Sequence, residues 1–149
     1  MPIPIFSKAG LLPPGVHHAT IDEVEERFGR GSSRRTKLYA KLARFLAEVR
    51  SFQIFDSIFI DGSFVTDKPN PGDIDVVLVG PSDQLRLFAT RGDAMRLDPH
   101  RIKREYEVHL FIQPPPHRMT DFFQTIRAED ALERNVPPHT KRGIIEVTL

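Results

Sequence analysis

Asp73 and Asp75 flank one isoleucine at the start of an apolar run, Asp73-Ile74-Asp75-Val76-Val77-Leu78-Val79. In a strand, residues i and i+2 project from the same face. The two carboxylates therefore stand together while Ile74 points the opposite way, into a core. Side by side they repel. Protonation of one of them, or a hard divalent cation held between them, relieves the repulsion. Oxygen donors in a chain without cysteine favour Mg2+ or Mn2+ over zinc. Upstream, the apolar stretch Ser57-Ile58-Phe59-Ile60-Asp61 ends in Gly62-Ser63. Glycine lets backbone approach a ligand closely, and exposed amides in a tight turn form an anion-binding concavity. The Ser63 hydroxyl adds a donor for a phosphate oxygen. A phosphate cradle facing a two-carboxylate metal site is the minimum for phosphoryl or nucleotidyl transfer. Asp61 either reaches the same pocket or stabilises the turn; its position before Gly62 leaves both open.

These groups need two neighbouring strands to hold them. Ser57 to Asp61 reads as one strand and Asp73 to Val79 as the next, with a hairpin-like return between them. The second is apolar enough to suit a central strand covered on both faces. Tyr106 to Ile112 is expected to be a third strand, closed by Pro114-Pro115-Pro116, and Ile144 to Leu149 a final one. Thr20-Ile21-Asp22-Glu23 is a capping-box pattern and opens a short helix ending near Gly29. Ser32 or Ser33 caps a second helix from Arg34 to about Arg50. Its Leu38, Leu42, Phe45, Leu46 and Val49 form one stripe. Ser82 is expected to cap a helix containing Leu85, Leu87 and Phe88, and Thr120 one through Phe122, Phe123 and Ile126. Residues 1–19 read as an extended arm on a single domain spanning residues 1–149. The fold class is α+β, a mixed sheet flanked by helices.

Composition narrows the function. Of 149 residues, 21 are Lys or Arg and 20 are Asp or Glu, a formal net charge of +1. A protein dedicated to coating nucleic acid is far more basic. The absence of cysteine excludes disulfides, thiolate-held zinc or iron–sulfur groups, and a cysteine nucleophile. The start has no basic region followed by an apolar run, so no secretory signal is read there. No apolar stretch approaches the ~20 residues of a membrane span. A cytoplasmic protein without a membrane partner is expected. The densest positive group is Arg27, Arg30, Arg34, Arg35, Lys37, Lys41 and Arg44. It reads as a solvated helix face balanced by Asp22, Glu23, Glu25 and Glu26. It lacks the interleaved aromatics that stack single-stranded bases. His17 and His18 are adjacent and share no helical face, so they are not read as a metal site.

Gly62-Ser63 followed by the spaced pair Asp73-Ile74-Asp75 resembles the signature of the DNA-polymerase-β-like nucleotidyltransferase superfamily. Small minimal nucleotidyltransferases belong to it, as do the toxin or antitoxin nucleotidyltransferases of bacterial two-gene modules. The wider chain also resembles an uncharacterised bacterial family of nucleotidyltransferase-like proteins. That likeness rests on Leu12-Pro13-Pro14-Gly15-Val16-His17, Glu23-Val24-Glu25-Glu26-Arg27-Phe28-Gly29, Ile60-Asp61-Gly62-Ser63-Phe64-Val65-Thr66 and Lys141-Arg142-Gly143-Ile144. The superfamily resemblance implies a nucleotidyltransferase-like mixed sheet flanked by helices. It implies Gly62 and Ser63 on the nucleotide phosphates and Asp73 and Asp75 as ligands of Mg2+ or Mn2+. It also implies a third carboxylate on a later strand, placed to activate the attacking hydroxyl. The matching segment is Arg104-Glu105-Tyr106-Glu107-Val108-His109-Leu110-Phe111, in which Glu107 and His109 are expected to share a face. His109 stands where an aspartate is usual, and Glu107 is the nearest acid that could serve.

Two functions follow. One is an enzyme moving a nucleoside monophosphate from a nucleoside triphosphate to a hydroxyl on protein, RNA or a small molecule, with Glu107 or His109 as base. The other is a catalytically weakened domain that binds a partner, like the antitoxin half of a two-gene module. The superfamily's larger enzymes bind the acceptor with an added domain. Here that platform is expected from a partner protein or a homodimer.

Overall fold

The computed structural model describes residues 3–114 and 123–149. Local signals fix the first two helices. In α1 (Ile21–Phe28) the Thr20 side chain accepts from the Glu23 amide, and the Glu23 carboxylate accepts from the Thr20 amide in return. The Ser32 hydroxyl caps α2 (Ser33–Phe52) by accepting from the Arg35 amide at 3.1 Å. The expected stripe of α2, Leu38, Leu42, Phe45, Leu46 and Val49, is buried throughout. Gln53 ends the helix in the left-handed region.

Five strands form one mixed sheet: β1 (Gly15–His18), β2 (Ser57–Asp61), β3 (Ile74–Val79), β4 (Val108–Gln113) and β5 (Gly143–Thr148). Their order is β1-β5-β2-β3-β4. β2 runs antiparallel to both β3 and β5, while β1 pairs parallel with β5 and β4 parallel with β3. Three further helices complete the described part: α3 (Ser82–Ala89), α4 (Pro99–Tyr106) and α5 (Ala128–Glu133). The architecture is α+β, with five helices among the described residues.

The alternation of each strand divides the sheet into two unequal faces. Ile58, Ile60, Ile74, Val76, Leu78, Val108, Leu110, Ile145 and Val147 point to the side covered by α1 to α4 and form the main core there. Phe59, Val77, Val79 and Ile144 point to the other side, where Val16, Phe111 and Phe123 join them in a smaller cluster. Every β3 residue except the half-buried Asp75 is thus buried whichever way it points, and that is why its sequence hardly alternates. The candidate site residues Asp61, Asp75 and His109 lie on the second face.

Several elements differ from the sequence expectation. The segment read as an arm buries Leu11 and Leu12 and supplies β1 as an edge strand. Ser82 is the first residue of α3, and Pro81 holds the cap position without a side-chain bond. Tyr106 ends a helix rather than starting a strand. α4 begins with Pro99 in its first turn, capped by Asp98, and closes at Glu107 in the left-handed region (φ 52°). Thr120 and Phe122 lie outside the described residues. Ile126 is not helical: its amide donates to the Thr140 carbonyl, beside a bridge pairing Thr125 with Lys141.

Candidate functional site

Strand register sets the site. Asp61 on β2 is opposite Asp75 on β3, and Asp75 is opposite His109 on β4. The three side chains therefore form a row across three adjacent strands, all on the face away from the main helix layer. Asp73, just before β3, completes the group. One ligand atom each from Asp73, Asp75 and His109 lie within 4.8 Å of one another. His109 Nδ1 stands 3.2 Å from Asp75 Oδ1, and its ring packs against Phe111 with centroids 4.5 Å apart. Lys103 of α4 makes an ion pair with Asp73.

Gly62 brings the β2 end against this row. Its backbone (φ 82°, ψ −166°) lies where side-chain-bearing residues are strained. A methyl placed there would overlap Asp75 Oδ2 and lie 3.1 Å from Asp75 Cγ. Glycine is thus required both for the bend and for the approach of the carboxylate. The Gly62 carbonyl accepts from Arg142 at 2.8 Å, and the same guanidinium is paired with Asp61. This pair is buried, with side chains only 5% and 7% exposed.

The electrostatics favour bound positive charge. Burial pushes the Asp61 carboxyl up to about 6, against the opposing pull of Arg142 and the Gly62 amide. Asp75 is also raised, first by burial and then by the neighbouring Asp73, with His109 opposing. Raised carboxyls crowded together gain from a proton or a cation.

A cleft of about 160 Å³ opens over this row. Asp61, Gly62, Asp75 and His109 line it; Arg127, paired with the lining Asp130, and Arg142, paired with Asp61, bring positive charge, and Phe111 and Phe123 an apolar side. That volume lies below the roughly 300–1,000 Å³ of sites that enclose a whole small molecule. It fits a hydrated ion and a phosphate-sized group.

Two expected site residues are placed elsewhere. Glu107 does not share the face of His109, because it sits at the left-handed turn before β4 begins. Arg34 holds its carboxylate through two bonds of 2.8 and 3.0 Å, and Lys41 through one of 2.6 Å. These bonds pull it down to about 2, which makes it a poor proton acceptor near neutrality. Ser63 starts a 3-10 turn, Ser63–Val65, and is not among the residues lining the cleft. Its carbonyl accepts from the Thr66 hydroxyl at 2.7 Å.

The positive group on α2 is not wholly a solvated face. Arg35 is 6% exposed and donates to the carbonyls of Phe28, Phe64, Thr66 and Lys68. Arg34 also donates to the carbonyls of Pro71 and Gly72. Both arginines thereby tie down the loop between β2 and β3 that delivers Gly62 and Asp73. Sequence reasoning gave no role in the site to Lys103, Arg127 or Arg142. Arg142 stood in a quoted segment directly before the last strand, but only the β2–β5 pairing brings it to Asp61.

A family model matches residues 4–148, nearly the whole chain. The chain belongs to that family, DUF6932, a family of unknown function. No curated protein and no solved structure matches it. Among the described residues, no helix of this family member is long and apolar enough to cross a membrane.

Proposed function

We propose that the chain is a metal-dependent nucleotidyltransferase of the polymerase-β-like type, moving a nucleoside monophosphate from a nucleoside triphosphate to a hydroxyl. The supporting observation is the convergence of Asp73, Asp75 and His109, of which Asp75 and His109 line a cleft whose other groups include Arg127 and Arg142. The donor set of two carboxylates and an imidazole fits a divalent ion such as Mg2+ or Mn2+. When bound, that ion supplies charge neutralisation to phosphate oxygens and alignment of the displacement. Asp73 and Asp75 hold it. Arg127 and Arg142 attract the anionic tail, while Gly62 keeps the floor of the cleft low enough for it to enter. With a cleft of about 160 Å³, the nucleoside lies outside the phosphate-sized space.

The position of Glu107 favours a second reading, in which the site binds nucleotide and metal for a partner protein or RNA without transfer. Its carboxylate is engaged by Arg34 and Lys41, so the acid expected to activate the acceptor is not at the cleft. One experiment separates the two. The protein is incubated with Mn2+ or Mg2+, each of the four α-labelled nucleoside triphosphates, and protein or RNA acceptors. Label transfer that disappears in Asp73→Ala and Asp75→Ala supports the enzyme. Nucleotide binding without transfer supports the binding role. Absence of both overturns the proposal.

A further inference from the structure

Resting on the metal site proposed above, we infer that His109 is a third ligand, and that it makes the site select Mn2+ over Mg2+. Three features of the structure lead to this inference. First, β3 and β4 are parallel and in a register that places His109 opposite Asp75. This is fixed by the ladder rather than by a side chain reaching across a loop. Second, a ring nitrogen of His109 belongs to the set of ligand atoms within 4.8 Å, together with one oxygen each from Asp73 and Asp75. Third, the His109 ring rests on Phe111, which in turn packs on Phe123 at 5.1 Å. The imidazole is thus supported from its side by an aromatic pair while its nitrogen edge meets the carboxylates.

A second observation at the same cleft is a buried donor left without a partner. Arg142 lines the cleft with a side chain only 7% exposed; its Nη2 donates to Asp61 and to the Gly62 carbonyl, while its Nε is buried with no hydrogen-bond partner among the described residues. A buried donor of this kind is costly unless a ligand or water satisfies it.

The selectivity follows from donor chemistry. Mg2+ prefers oxygen donors in near-ideal octahedra and gives up its waters reluctantly. Imidazole suits transition ions, and carboxylates suit Mn2+ as well as Mg2+. A site with two carboxylates and one imidazole therefore lies closer to Mn2+. A third carboxylate in place of His109 would move it towards Mg2+.

The test reads binding, not turnover. Mn2+ is titrated into the full chain and followed by electron paramagnetic resonance, with Mg2+ as competitor, for wild type, His109→Ala, His109→Asp and Asp75→Ala. Losing an outer partner of a metal ligand costs roughly 10–100-fold in affinity, and loss of the ligand itself should cost at least that. His109→Ala is expected to weaken Mn2+ binding accordingly. His109→Asp should retain Mn2+ while letting Mg2+ compete at a much lower excess than in wild type. Pulsed measurements on bound Mn2+ should show coupling to a histidine nitrogen that is absent from both His109 variants. Circular dichroism of each variant confirms that the fold is retained. If His109→Ala binds Mn2+ as wild type does, with unchanged nitrogen coupling, while Asp75→Ala loses binding, the His109 inference is overturned and the metal site stands. If wild type binds no Mn2+, or Asp75→Ala binds it undiminished, the metal site itself is refuted.

Discussion

Gly62→Ala tests the geometry that brings β2 against the acidic row, and its effect divides into two parts. The backbone at Gly62 (φ 82°, ψ −166°) lies in a region nearly restricted to glycine; a side-chain-bearing residue there costs about 1–3 kcal/mol. The second part is steric. The new methyl overlaps Asp75 Oδ2 and approaches Cγ to 3.1 Å. That carboxylate is the far end of a side chain, so it can rotate away at modest cost to the fold. Rotation, however, removes its oxygen from the group formed with Asp73 and His109. Stability should therefore fall by about 2 kcal/mol, mostly from backbone strain, while divalent-ion affinity falls far more than that loss explains. A double-mutant cycle with Asp75→Ala separates the parts. In the Asp75→Ala background the steric part disappears, and Gly62→Ala should retain only the backbone cost. Urea denaturation gives the stability and a Mn2+ titration the affinity. Were Gly62→Ala to bind Mn2+ like wild type, the close approach of Gly62 and Asp75 would not be what shapes the site.

Other consequences follow from single contacts. Glu107 is held down to about 2 from an ordinary 4.5. Its stabilising contribution is therefore full above pH 4.5 and is lost as pH falls towards 2. With its side chain 29% exposed, solvent screening leaves about 1 kcal/mol. Glu107→Gln should flatten that limb of the acid-denaturation curve, and added salt should flatten it in wild type. Lys103→Ala removes the ammonium paired with Asp73, so Mn2+ affinity should rise severalfold in a fluorescence or resonance titration; an unchanged or lower affinity would show that Lys103 does not compete with the ion. Arg35→Leu strips donors from the Phe28, Phe64, Thr66 and Lys68 carbonyls. Leaving buried acceptors unpaired costs about 1–3 kcal/mol each. A net loss of roughly 3 kcal/mol in urea midpoint experiments is expected, and a loss below 1 kcal/mol would show that those carbonyls find other donors.

Much of the framework was legible because it is encoded locally. The Thr20–Glu23 box, the apolar stripe of α2, and the apolar run from Val76 to Val79 each express a rule that operates within a few residues. The period of two in a strand was enough to put Asp73 and Asp75 on one side. The same period misplaced Glu107, because α4 continues through Tyr106 and the chain reverses at a left-handed residue before β4 starts. Nothing in Glu105-Tyr106-Glu107-Val108 marks that switch, since a strand and the end of a helix can both carry such residues. Electrostatic neighbours were equally hidden. Arg35 looked like one more surface cation until the β2–β3 loop folded over it.

The order of residues by itself determined which side chains have the chemistry and on which face of their own strand they stand. The β2–β3 return aside, the tertiary structure alone decided which strands are neighbours. The β2–β3–β4 register aligns Asp61, Asp75 and His109, and the β2–β5 pairing brings Arg142 to Asp61. The physical reason is that side-chain direction follows from local backbone geometry, whereas strand order follows from burying two faces of one sheet at once. That second condition is met only by the whole chain.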